Sequence, residues 1–217
     1  MSLSNAHADV IEIIGGLGIG RFNQGVNLSS GQLNSELNAE WSADNGAFSS
    51  LSCFISENRL GRAIQRGCDL SLGWFKPLNE QHAITGSIAR HDYSSPVLSG
   101  WQYTDASLSW HIGRDNTLQV RASDSLLGQG FASVTTSFHG SRPIAEKWRL
   151  NFEVGVTSLQ SSTPVNTLEY GILSAEYARG RWATMIKVML SDSEYQRFVK
   201  LDFEQSELSI SLRYRLY

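Results

Sequence analysis

The sequence has no run approaching the roughly 20 consecutive apolar residues that a membrane-crossing helix requires, and helix signals of any kind are scarce. It has no Lys/Arg cluster either, and its net charge is only −3, which excludes the electrostatic nucleic-acid surface that a basic stripe would provide. Four prolines among 217 residues, with 19 glycines and abundant Ser and Thr, fit a folded, turn-rich β protein better than a disordered chain. Cofactor signatures are missing. Gly15-Gly16-Leu17-Gly18 lacks the strand-then-helix context of a phosphate-binding loop and reads as a glycine-rich first strand. His91, His111 and His139 fall on separate predicted strands without metal-ligand spacing.

What is present is one domain's worth of chain. Met1 to Ala8 reads MSLSNAHA, and Ala6-His7-Ala8 has the small-x-small form of a signal-peptidase site. Residues 1–8 are therefore expected to be the remnant of an export signal, with 9–217 forming a single domain. The other reading of those residues is a chance Ala-x-Ala in a loose terminus.

Alternation with a period of two runs along almost the whole domain, as successive side chains of a strand point to opposite faces. Leu33, Leu37, Ala39 and Trp41 share one face while Asn34, Glu36, Asn38 and Glu40 share the other. The pattern returns at Cys68–Trp74, Asp105–Ile112, Leu118–Ser123, Trp148–Val156 and Leu208–Leu216. A soluble sandwich would alternate too, but its wet face is usually rich in Lys and Glu. Here the polar face is Ser, Asn, Gly and Thr with isolated charges of both signs, which suits an enclosed, hydrated lumen.

Connections also alternate in length. Tight turn signals at Asp44-Asn45-Gly46, Pro77-Leu78-Asn79-Glu80, Gly113-Arg114-Asp115-Asn116 and Arg179-Gly180 separate longer polar stretches at 23–31, 56–65, 92–100, 124–130 and 158–167. The connection over 142–147 reads as intermediate. Five of the six tryptophans, Trp41, Trp74, Trp110, Trp148 and Trp182, stand beside the short connections on the apolar parity, as an aromatic girdle at one membrane boundary would place them. The expectation is an all-β, antiparallel, up-and-down transmembrane barrel of about 12 strands (range 12–14), with short periplasmic turns and longer extracellular loops. An apolar run at Phe198–Phe203 would add a thirteenth strand and break the even count, so 192–205 is assigned to an extracellular excursion. Tyr217 is aromatic but out of phase with the apolar frame, which ends on Leu216.

The residues Trp101-Gln102-Tyr103-Thr104-Asp105-Ala106-Ser107-Leu108, then Arg121-Ala122-Ser123-Asp124-Ser125-Leu126-Leu127-Gly128, resemble the aromatic-Thr-Glu strand and the Tyr-Ser-Asp-Asp-Tyr-Phe-Gly stretch of the proteobacterial outer-membrane family Gcw_chp. Gly20-Arg21-Phe22-Asn23-Gln24-Gly25-Val26 resembles that family's opening. The missing aromatic before Arg21, the shifted C-terminal aromatic and the two cysteines depart from it. The resemblance implies an outer-membrane barrel of about twelve strands, in a family without an established activity.

Cys53 and Cys68 lie on neighbouring predicted strands around one loop; a cross-strand disulfide in an oxidising periplasm and two free thiols both remain open. The lumen parity collects Glu36, Glu40, Asp69, Asp105 and Glu153 with Arg121, Arg149, Lys187, Arg213 and Arg215, along with His91, His111 and His139. Such charges either pair into a braced interior or wall a polar path for small charged solutes. Ser137-Phe138-His139-Gly140-Ser141 places two serines and a histidine on one face, but no acid partner is visible, so a lipid hydrolase is weakly signalled. The reading is a non-enzymatic, cofactor-free outer-membrane barrel, exported through the periplasm, acting as a narrow channel for small polar solutes. Its alternative is a closed structural or partner-binding barrel. Expected partners are outer-membrane lipids with lipopolysaccharide and, during biogenesis, the barrel-assembly machinery.

Overall fold

The computed structural model describes residues 10–19, 22–23, 26–27, 33–57, 64–94, 101–125, 132–160, 167–191 and 208–215. Its first half contains β1 (Val10–Ile19), a two-residue pair β2 (Phe22–Asn23) and β3 (Val26–Asn27), then β4 (Leu33–Ser42), β5 (Ala47–Glu57), β6 (Ile64–Pro77) and β7 (His82–Ser94). The second half contains β8 (Trp101–Ile112), β9 (Asn116–Ser123), β10 (Ser133–Ala145), β11 (Trp148–Leu159), β12 (Thr167–Arg179), β13 (Trp182–Ser191) and β14 (Leu208–Arg215). Every strand except the β2–β3 pair joins one closed antiparallel barrel of twelve, in which sequence neighbours are spatial neighbours and β14 returns to β1. No helix among the described residues is long and apolar enough to cross a membrane.

The alternation in the sequence decides which side of each strand faces in. Large apolar side chains cover the outside, where Leu190 is 64% exposed and Leu72, Ile88 and Leu108 are nearly as open. The inward parity is Ser, Thr, His, Asp and Tyr; Tyr103 and Thr157 are fully enclosed. Burying polar groups while exposing a continuous apolar belt inverts the arrangement of a water-soluble domain, and it is favourable only where the outside solvent is hydrocarbon.

Short turns close one rim. Gly46, Gly113 and Gly180 take positive φ there, at 87°, 64° and 59°. At the β6–β7 turn the Asn79 side-chain oxygen instead accepts the backbone N–H groups of Gln81 at 2.9 Å and His82 at 2.8 Å. One connection departs from the sequence expectation. Strand β10 continues through Pro143 to Ala145, so that only Glu146 and Lys147 separate it from β11, and 142–147 is a tight turn rather than an intermediate loop. Proline cannot donate to a ladder, and the register shifts between Pro143 and Ala145 to accommodate it. The assigned excursion at 192–205 lies outside the described residues. Because β13 pairs directly with β14, no further barrel strand fits between them.

Candidate functional site

The register carries the charged residues singled out in the sequence around the inner wall, and that wall is uneven. From β5 to β9, near the rim opposite the short turns, the lumen is packed. His91 on β7 lies between two carboxylates, with Nδ1 2.7 Å from Asp69 Oδ1 on β6 and Nε2 2.9 Å from Asp105 Oδ2 on β8. Tyr93 donates its hydroxyl to Asp69 at 2.7 Å, and Tyr103 stacks on His91 at a centroid distance of 4.2 Å. Arg121 Nε stands 3.9 Å from Asp105. Phe54 meets Tyr93 edge-on, and both rings lie over Gly67, where an added Cβ would come within 2.7 Å of Phe54. Glycine is required here because the rings occupy the space a side chain would take.

A second network spans β10 to β12. Ser137 Oγ lies 2.9 Å from His139 Nε2, His139 Nδ1 lies 3.4 Å from Glu153 Oε2, and Tyr170 donates to Glu153 Oε1 at 2.7 Å. Serine, histidine and acid in line is the connectivity that nucleophilic catalysis uses, and Glu153 is the acid partner that the sequence did not reveal. The serine is 4% exposed, however, and the backbone N–H groups beside it are committed to the β10–β11 and β9–β10 ladders. That leaves no free backbone donor pair beside the hydroxyl for an oxyanion, and the linked side chains tie β10, β11 and β12 together. Ser141 shares the face of Ser137 and His139 but has other partners, donating to Asn151 Oδ1 at 2.7 Å and accepting from Arg149 at 3.0 Å.

Opposite these networks lies the open part of the lumen, a cavity of about 460 Å³ enclosed by β13, β14, β1, β4 and β5. Glu12, Glu36 and Glu40 line it with Lys187 and Arg213, among Asn34, Asn38, Ser50, Ser52, Ser209 and Ser211. Arg213 on β14 reaches Glu36 on β4 at 3.5 Å across the intervening β1, and the residue of β1 between them is Gly16. Without that glycine a side chain would stand in the path of the pair, since a Cβ there would lie 2.9 Å from Glu36 Cγ. Arg215 pairs with Glu12 at 2.5 Å.

The remaining candidates are placed as follows. Arg149 lies near the short-turn rim, 3.6 Å from Asp115. Cys53 and Cys68 are directly opposite on β5 and β6, with Cα atoms 4.1 Å apart, and form a disulfide on the outer face. Trp41, Trp74, Trp110, Trp148 and Trp182 are all exposed on the outside, within a few residues of the short turns. Trp74 donates its indole N–H to the Asn45 carbonyl at 2.7 Å, and Trp148 and Trp182 pack on Tyr177 and Tyr214. Glu12, Phe54, Tyr93, Tyr103 and Tyr170 were not singled out in the sequence. Aromatic residues on the inward parity were the available signal.

No family model matches the chain, and no curated protein matches it. Solved structures do. A KdgM porin superposes with a TM-score of 0.57 at 9% identity, covering 94% of this chain and 98% of the porin. The NanC porin gives 0.56 at 12%, covering 95% and 98%. An outer membrane channel from Pseudomonas putida F1 gives 0.52 at 9%, covering 99% and 98%. At these identities the likeness is one of fold: a closed twelve-stranded porin-like barrel.

Proposed function

We propose that this chain is a bacterial outer-membrane channel in which ions and small polar solutes pass along the eccentric cleft between β13, β14, β1, β4 and β5. The observation that carries the proposal is the cavity of about 460 Å³, walled by carboxylates and bases of both signs inside a barrel whose outside is apolar. The porin likeness supports it at the level of fold. One structure of that kind is described as a KdgM porin in complex with disordered oligogalacturonate, at 10% identity and a TM-score of 0.57.

In this reading the five tryptophans mark the periplasmic edge of the hydrocarbon, the short turns face the periplasm and the longer connections face outward. Lipids and lipopolysaccharide surround the belt, and the barrel-assembly machinery inserts it after export. Residues 1–8, the proposed signal remnant, lie outside the described residues. Membership of the Gcw_chp family belongs to the same proposal, resting on the Trp101–Leu108 strand and the Arg121–Gly128 stretch.

The test is ion current through purified protein in planar bilayers. Discrete conductance steps are expected. Persistent silence from folded protein would favour a second reading, a closed barrel acting through its outer connections. That reading draws support from the His91–Tyr103–Asp105 packing that already fills part of the bore.

A further inference from the structure

We infer that the pore prefers cations and that Glu40 sets the preference, an inference that rests on the channel reading above. The charges lining the cleft, together with the Arg215 that Glu12 holds, are balanced in number: Glu12, Glu36 and Glu40 against Lys187, Arg213 and Arg215. They are not balanced in availability. Arg213 is held by Glu36 and Arg215 by Glu12, each as an ion pair that presents a dipole rather than a net charge to the bore. Lys187 has a partner too and stands midway along β13, deeper in the cleft than Glu40, which is two residues from the short-turn end of β4. Among the described residues none forms a hydrogen bond or ion pair with Glu40.

Its position makes that carboxylate the charge an entering ion meets. Glu40 lies on β4 opposite Glu12 of β1 and Ser50 of β5, lines the cavity and is solvent-exposed. Its inward neighbours along the strand are Asn38 and Ser42, which are polar but neutral. An open carboxylate beside a restricted aqueous path attracts a cation and repels an anion of equal size, and low-dielectric walls strengthen both effects. A unit charge about 4 Å from a permeating ion is worth about fivefold in its relative occupancy even at the dielectric of water. The solutes favoured are therefore small cations, and polar molecules carrying an amino group, over acidic ones of the same dimensions.

The experiment is the reversal potential of the reconstituted protein under a KCl gradient at about 0.1 M, where the Debye length of about 10 Å leaves the carboxylate unscreened. A K⁺ over Cl⁻ permeability ratio above one is expected, falling by about fivefold or more in Glu40→Gln and inverting in Glu40→Lys. Folding of each variant is checked by heat-dependent gel mobility. A wild-type pore that favours Cl⁻, or a Glu40→Lys variant with unchanged selectivity, overturns the inference and leaves the channel reading standing. Folded wild-type protein that carries no current overturns both.

Discussion

At the scale of single residues, the interior is governed by which partner each charge finds. His91 keeps two inward carboxylates satisfied, so His91→Ala leaves Asp69 and Asp105 facing each other across a void. The expected loss is about 3 kcal/mol or more in urea unfolding from lipid vesicles, because breaking an enclosed charge network strands what is left. A change below about 1 kcal/mol would show that water takes over the role of His91. The sequence showed that these three residues face the lumen, since parity needs only the period of two. It did not show that they touch. Asp69 and Asp105 lie 22 and 14 residues from His91, and only the register brings them to one level. The same holds for Glu153 and His139, whose pairing across β10 and β11 turned an isolated Ser-x-His into a connected line.

At the scale of strands and turns, most of the architecture was readable. Alternation located the strands, and Asn-Gly, Asn-Glu and Arg-Gly pairs located the turns, because both signals are local. The β10–β11 connection was misjudged for a physical reason. Proline usually ends a strand, and here a local register shift lets β10 continue past Pro143. Two predictions belong at this scale. Gly67→Ala places a methyl group against the Phe54 and Tyr93 rings and is expected to destabilise the barrel by about 1–3 kcal/mol, read as a lower urea midpoint. The Cys53–Cys68 bridge closes a short loop between adjacent strands. Cys53→Ser is expected to lower stability by up to about 3 kcal/mol, with reductant producing the same shift in the wild type and none in the variant.

At the scale of the whole molecule, one coherent apolar exterior implies one depth in the bilayer. Indole fluorescence is expected to be quenched more by labels near the lipid headgroups than by labels at mid-chain, because the five tryptophans stand in a ring beside the short turns. Stronger quenching at mid-chain would displace the proposed boundary. The strand count followed from the sequence once the even-number rule was applied, whereas the off-centre cavity did not. Parity says which side chains point inward but not how far each one reaches across the bore. The pairing of β14 with β1 joins segments some 190 residues apart, at an entropic cost that grows only as the logarithm of the intervening length. Alignment at that suture is fixed by the reach of Arg213 over Gly16 to Glu36. Slipping the last strand by one residue would turn Arg213 and Arg215 into oil and fold Leu212 and Tyr214 into water. Both ion pairs would be lost, and each outward arginine beside Tyr214 and the Trp182 girdle would cost up to about 1 kcal/mol, so a misaligned cylinder is penalised before it can seal.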